Sequence, residues 1–372
     1  MTYFTNGFDH RFGSAVNFGF DEIVGTLQNA GIPTTAGRQS GPAWRIMWTG
    51  INRSEDSSLG LNLAEAGDLH FGFWVKWEQV GGDPGDGLMR LCSIFVNGQR
   101  ALQVVAAVGN SYAADGLPAG HVGLLDGVDD MGAGGGNLAS LTGAVLAVSA
   151  NPVWPTGLSG TVERHMTCSI LRGTGSGQFV MTVDNVIVVD EDTIANLDVA
   201  EGDITRLLLA IKSSNTSGNW SRDAWVDDFW VDSVTNFGNA RVLAYQMVSQ
   251  GFYSDGTVTG AATGWEAVSG APPNLSEYVT VGDGVKDSHV AAEVGDGGRA
   301  AVGGVLHRTW IESDFPTKSF VRIDGTDHDV GETPADPNGT AGRVAMRTNP
   351  DTNEAWSVAE LAALEVGVEG ST

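Results

Sequence analysis

The residues best placed by type and spacing to do chemistry lie in one stretch, Trp225-Val226-Asp227-Asp228-Phe229-Trp230-Val231-Asp232. Paired carboxylates are the machinery of glycoside hydrolysis, set ~5–5.5 Å apart for retention and ~6.5–9.5 Å for inversion. If the stretch is a regular strand, Val226, Asp228, Trp230 and Asp232 share one face, and Trp225, Asp227, Phe229 and Val231 the other. Both faces then mix apolar with acidic side chains. Asp227, Asp228 and Asp232 offer aspartates only, and as the last strand of its series the stretch is a poor place for a cleft.

Other candidates fare no better. Asp126-Gly127-Val128-Asp129-Asp130-Met131-Gly132 invites a calcium reading, but it lacks the alternating oxygen ligands and closing Glu of an EF-hand loop. Gly134-Gly135-Gly136 is not followed by Gly-Lys-Ser/Thr, so it is no phosphate loop. Asp190-Glu191-Asp192 points its carboxylates in alternating directions, as a solvated strand edge does. Gly173-Thr174-Gly175-Ser176-Gly177 is a turn between strands and no nucleophile elbow. The histidines, His10, His70, His121, His165, His289, His307 and His328, are scattered without a close pair, which leaves a zinc site unsupported. The sequence thus nominates no catalytic, cofactor-binding or metal-binding residue.

The elements that would position any site are strands. Glycine makes up 52 of 372 residues, about twice the usual ~7% share, and it favours tight connections over helices. In Leu69 to Glu78, Phe71, Phe73, Val75 and Trp77 line one face at period two, with His70, Gly72, Trp74 and Lys76 opposite. Leu88 to Val96 and Ala101 to Val108 form a hairpin at Asn97-Gly98. Val162 to Leu171 pairs with Gln178 to Val183, which turns at Asp184-Asn185 into Val186 to Val189. Arg206 to Lys212 and Trp225 to Asp232 close the set. Short strands with turn signals every ~8–12 residues fit a two-sheet antiparallel sandwich.

Forty-five acidic against 20 basic residues give a net charge of −25, which repels nucleic acid and anionic lipid. Cys92 and Cys168 sit in apolar runs and read as buried free thiols. Met1 to Asn6 lacks the basic and apolar segments of a secretory signal, and no apolar run reaches the ~18 residues of a membrane span. The expected place of synthesis is a cytoplasm.

The order of these elements resembles the concanavalin A-like (laminin-G-like) jelly rolls. The resemblance is carried by the Phe-Gly-Phe-Trp-Val strand, Phe179-Val180-Met181-Thr182-Val183-Asp184-Asn185, and the closing Asp227-Asp228-Phe229-Trp230-Val231, across residues 1–235. Jelly rolls of this class include glycan hydrolases. Their Glu-x-Asp-x-x-Glu strand is absent here.

Beyond a boundary near Asn236 to Asn239, residues 240–372 are similar to the C-terminal region of tailed-bacteriophage virion proteins. That stretch begins with a strand at Arg241 to Tyr245. Strands at Ser319 to Asp324 and Arg343 to Thr348 follow, around a polar loop from Asp327 to Gly339. Ser357 and Glu360 have capping-box spacing. They start a short terminal helix whose apolar side is Val358, Leu361, Ala362 and Leu364, with Trp356 beneath it.

The fold class expected is therefore all-β, a jelly-roll sandwich followed by a smaller β-rich domain. The resemblance implies a non-enzymatic structural protein of a phage particle, on the capsid surface or in the tail, made in the bacterial host cytoplasm. Its expected partners are other virion proteins and symmetric copies of itself, with no nucleic acid, membrane or cofactor. The alternative is a glycan-binding phage adhesin contacting host polysaccharide through exposed aromatics drawn from Trp44, Trp48, Trp74, Trp154 and Trp220. Most tryptophans are expected inside.

Overall fold

The computed structural model describes residues 2–4, 22–24, 30–31, 44–49, 58–80, 88–107, 110–126, 143–154, 156, 160–214, 221–242, 245–269, 276–293, 302–362 and 364–371. They divide into two compact units, with the chain passing from the first to the second between Arg241 and Val242. All strand pairs described below are antiparallel. No helix among the described residues is long and apolar enough to cross a membrane.

The first unit opens with β1 (Thr2–Phe4), β2 (Glu22–Val24), β3 (Ala30–Gly31), β4 (Trp44–Thr49) and β5 (Ser58–Glu65). The long β6 (Leu69–Val80) follows, then β7 (Leu88–Val96), β8 (Gln99–Ala107), β9 (Val122–Asp126) and β10 (Val145–Val148). β11 (Gly160–Leu171), β12 (Gly177–Val183), β13 (Val186–Ile194), β14 (Ile204–Ser214) and β15 (Ser221–Asp232) complete it. One sheet runs β13-β12-β11-β6-β15-β4-β3, with β1 also paired to β15, and the other runs β10-β9-β8-β7-β14-β5-β2. This is the expected two-sheet jelly-roll sandwich.

Period-two burial shapes its core. Phe71, Phe73 and Val75 of β6 are wholly buried, as are Met166, Cys168 and Ile170 of β11 and Phe179 and Met181 of β12. Ile94, Leu102 and Val104 are equally buried in the other sheet. Each such side chain contributes about 1.5–3 kcal/mol. Both expected hairpins form. Asn97 and Gly98 hold φ of 50° and 75°, and Asp184 and Asn185 hold 50° and 68°, the left-handed pairs that a two-residue turn between twisted strands requires. Cys92 and Cys168 are free and buried. They sit on β7 and β11, one in each sheet.

Two features of β15 correct the sequence reading. It is last in its series yet lies inside the sheet, between β6 and β4, because jelly-roll connections cross between sheets. It is also not a regular strand. Its register against β6 shifts between Asp227 and Trp230, and Asp228 sits at φ 49°. The extra residue is a β-bulge, which reverses the facing of everything beyond it. Trp225, Asp227, Trp230 and Asp232 stand opposite Lys76, Trp74, Gly72 and His70 on one face, while Val226 and Val231 stand opposite Val75 and Phe71 on the other.

The second unit contains β16 (Tyr245–Ser254), β17 (Thr257–Thr259), the short helix α1 (Gly264–Val268), β18 (Tyr278–Thr280) and β19 (Lys286–Glu293). Then come β20 (Val305–Ser313), β21 (Thr317–Ile323), β22 (Thr326–Thr333), β23 (Asp336–Met346), α2 (Val358–Ala362) and β24 (Glu365–Gly370). A five-stranded sheet runs β16-β19-β24-β21-β22, beside the pairs β17-β18 and β20-β23. Val321, Ile323, Met346, Trp356, Leu361, Leu364 and Val366 form its apolar cluster.

The capping box is present. Glu360 N–H donates to Ser357 Oγ at 3.2 Å, and Ser357 N–H to Glu360 Oε2. Trp356 is buried in the cluster with Leu361, its Nε1–H donating to the Met346 carbonyl at 3.1 Å.

Three expectations are corrected. The first strand begins at Tyr245, and Arg241 and Val242 lie outside it. The segment expected as a polar loop, Asp327 to Gly339, is most of β22 and the start of β23. β22 is the edge of its sheet, where charged side chains are at home and the apolar alternation of a strand is not required. The short helix is not the last element, since β24 follows it and lies inside the sheet.

Candidate functional site

The face of the β6 sheet turned away from the sandwich interior carries the chemistry. Register aligns it in four cross-strand rows: Asp232, His70 and Ser169; Trp230, Gly72, Thr167 and Thr182; Asp227, Trp74 and His165; Trp225, Lys76 and Glu163. The outer face of a two-layer sandwich is ordinarily solvated, yet here its polar groups are sheltered. His70, His165, Thr167, Ser169, Asp227 and Asp232 are all buried. Burying such groups is costly unless they are hydrogen-bonded.

In the first row His70 Nδ1 lies 2.8 Å from Ser169 Oγ, and Asn236 Nδ2 donates to the same oxygen at 2.8 Å. Gly238 N–H donates to Asn236 Oδ1 at 2.8 Å, which fixes the amide with its NH₂ toward Ser169. Ser169 Oγ accepts there, so its own proton is available to His70 Nδ1. In the second row Trp230 lies directly over Gly72, where an added Cβ would stand 2.7 Å from the indole. Thr167 and Thr182 join through their hydroxyls at 2.6 Å. Trp74 packs on Trp225, and Lys76 Nζ sits 5.3 Å from the Trp225 ring centre and 3.9 Å from Glu163. The segment after β15 closes over this end, with Phe237 edge-on to Trp230 at 5.3 Å.

The last three aspartates of β15, Asp227, Asp228 and Asp232, have structural partners. Asp227 Oδ1 accepts from Asp228 N–H at 2.8 Å, holding the bulge. Asp228 faces Arg241 at 3.9 Å. Asp232 Oδ1 accepts from Val234 and Thr235 N–H, both at 2.7 Å, ending the strand in a turn. Asp227 and Asp232 stand opposite residues four apart on β6, so their backbones are ~13 Å apart, well beyond the spacing of a hydrolytic pair.

Sequence reasoning overlooked His70, His165, Ser169 and Asn236. The trace was present: His165, Thr167 and Ser169 alternate with Met166, Cys168 and Ile170, and His70 falls on the polar side of β6. The scattered histidines also gain neighbours, since His289 and His307 in the second unit come within electrostatic reach of each other. Of the tryptophans considered for glycan contact, Trp74 and Trp154 are buried. The side chains of Trp44 and Trp48, the whole of Trp220, and the Gly127-to-Gly136 segment lie outside the described residues. Asp126 ends β9 and accepts from Asn196 Nδ2 at 2.6 Å. Asp190 and Asp192 are exposed on the edge strand β13.

No known protein family matches the sequence, and neither does any curated protein. Solved structures do match. Alginate lyase Aly36B in complex with an alginate trisaccharide is 10% identical with a TM-score of 0.43, covering 63% of this chain and 98% of that one. Alginate lyase A1-II', of polysaccharide lyase family 7, is 14% identical with a TM-score of 0.34, covering 57% and 86%. A GH131 β-glucanase catalytic domain from Podospora anserina is 10% identical with a TM-score of 0.37, covering 64% and 98%. The likeness is one of fold alone, an antiparallel jelly-roll sandwich. The expectation of a non-enzymatic virion protein is corrected here: the matching structures reported are lyases and a glucanase, and nothing points to a phage particle.

Proposed function

We propose that the first unit is a polysaccharide lyase domain that breaks an acidic sugar chain by elimination, with His165 as a proton-transferring group. The observation that carries this reading is the imidazole of His165 sheltered on a sheet face beside Trp74 and in the row of Asp227, where hydrolysis would need closely spaced carboxylates. Elimination uses no protein nucleophile. A base takes the proton beside the sugar carboxylate, the C–H electrons become the new double bond, the bond to the leaving sugar oxygen breaks, and an acid returns a proton to that oxygen. Imidazole performs either transfer near neutral pH, and shelter from bulk water strengthens its interactions. The net charge of −25 repels a polyanion at long range, so turnover is expected to rise as salt screens that repulsion.

The test incubates the full chain with alginate, polygalacturonate and β-glucan, following ultraviolet absorbance of the new double bond alongside reducing ends. Both signals are expected to rise on an acidic chain. His165→Gln is expected to lower kcat by ~10²–10⁴-fold with circular dichroism unchanged, and His70→Gln, two rows away, to lower it less. Reducing ends without absorbance would replace elimination by hydrolysis. Neither signal on any chain would overturn the reading.

A further inference from the structure

One pair on the sheltered face of the first unit joins a hydroxyl directly to an imidazole. β6 and β11 run antiparallel with His70 opposite Ser169, and the same row continues to Asp232 on β15. Side chains so paired share a face, with Cβ atoms ~4.5–5.5 Å apart. Register thus brings Ser169 Oγ to 2.8 Å from His70 Nδ1.

Hydrogen bonding fixes which way the proton points. Gly238 N–H donates to Asn236 Oδ1, so Asn236 Nδ2 donates to Ser169 Oγ, each at 2.8 Å. The hydroxyl directs its own proton at His70 Nδ1, which is then the unprotonated ring nitrogen. A hydroxyl is a weak nucleophile until a base takes that proton, and serine within hydrogen-bond reach of an imidazole is a recurring arrangement that achieves it. Asn236 adds an amide N–H beside the point where a carbonyl oxygen attached to Ser169 would gather charge.

Access is narrow. Ser169 and His70 are 6% and 8% exposed, while Asn236 is exposed, so solvent meets the pair beside the Asn236 amide. In the next row Trp230 fills the space over Gly72, and Phe237 stands edge-on to Trp230 at 5.3 Å. These rings leave room for a short acyl group and exclude a long one.

We propose that Ser169, His70 and Asn236 form a second catalytic site that hydrolyses short-chain carboxylic esters, independent of the elimination proposed above. Ser169 Oγ attacks the ester carbonyl carbon as its proton passes to His70 Nδ1, and Asn236 Nδ2–H donates to the oxyanion. The bond to the alcohol oxygen breaks, and that oxygen takes the proton from His70. Water then gives a proton to His70, attacks the acyl-serine and releases the carboxylic acid, and the proton returns to Ser169 Oγ.

The test follows p-nitrophenolate release from p-nitrophenyl acetate by the full chain, and locates the covalent adduct of a small fluorophosphonate by mass spectrometry. Ser169 is expected to carry the adduct, and the acetate ester to turn over faster than the octanoate. Ser169→Ala is expected to abolish both signals. Turnover is expected to fall ~10²–10⁴-fold in His70→Gln and ~10²–10³-fold in Asn236→Ala. Circular dichroism separates lost chemistry from lost fold, and the adduct is read on the native chain, which needs no variant to fold. An unmodified Ser169 in the native chain, or turnover unchanged in folded Ser169→Ala, would overturn the proposal.

Discussion

The two units keep their titratable groups on opposite sides of their sheets. In the first, the interior described above is apolar apart from two thiols, and the imidazoles, hydroxyls and carboxylates stand on the face turned away from it. In the second, Asp287, His289 and His307 lie among the core side chains, while the outward face of the sheet carries ions that cancel. There Asp327 accepts from Tyr253 at 2.7 Å and from Lys286 at 2.8 Å, and Arg322 Nη1 donates to its other oxygen. Against the opposing effect of burial, these three donors hold Asp327 down to about 2. Arg322 also stacks 4.0 Å from the Phe252 ring centre. The difference is one of consequence under acid: a charge forced into a core disrupts packing, whereas one lost from a surface network loosens a contact.

Acid gives the largest expected effect. Burial lowers His307 from 6.5 to about 4, so the folded state binds fewer protons than the unfolded chain. Its neutral form is compatible with full stability above pH ~6.5, and that stability falls away as pH drops toward 4. The shift corresponds to about 3 kcal/mol. Calorimetry of the chain between pH 7 and 4 should show the transition of the second unit dropping ahead of that of the first. The reverse order would break the comparison.

Next is Gly72→Val, which drives a side chain into the Trp230 indole and should cost about 1–3 kcal/mol by overpacking. Chemical denaturation should register the loss in the first unit only. Asp327→Ala removes the hub of the outward network in the second unit. It leaves Lys286, Arg322 and Tyr253 without their shared acceptor, for about 1–2 kcal/mol at a partly solvated position. That variant should also lose the stability that ionised Asp327 contributes, which is fully present above its ordinary 3.8 and falls away as pH drops toward 2. The smallest effect is Ser169→Ala, about 1 kcal/mol for one hydrogen-bonded hydroxyl, seen as a slight fall in Tm. A larger drop there would mean that the polar rows of the first unit are built for stability.

What the sequence revealed depended on range. Asn97-Gly98, Asp184-Asn185 and the Ser357–Glu360 box were legible because each motif contains its own physics within a few residues. The alternation of Phe71, Phe73, Val75 and Trp77 was legible for the same reason. The bulge at Asp228 was not, since nothing in Asp227-Asp228-Phe229 distinguishes a regular strand from one residue inserted at positive φ. That single residue reassigned every face beyond it. The row joining His70 to Ser169 was illegible because only strand register brings residues so distant in sequence together. β5 escaped notice despite Leu59, Leu61 and Leu63 at period two. β22 was read as a loop because an edge strand has no need of apolar alternation.

The two thiols give the protein a built-in clock. Burial pushes Cys92 up to about 12 and Cys168 well above its ordinary range, and only the thiolate reacts. At neutral pH an alkylating reagent should find neither until the sandwich opens, so the rate of label capture would count openings of the first unit directly. For the same reason a cysteine introduced on the surface could carry a fluorophore or a crosslinker while both native sulfurs are left in place.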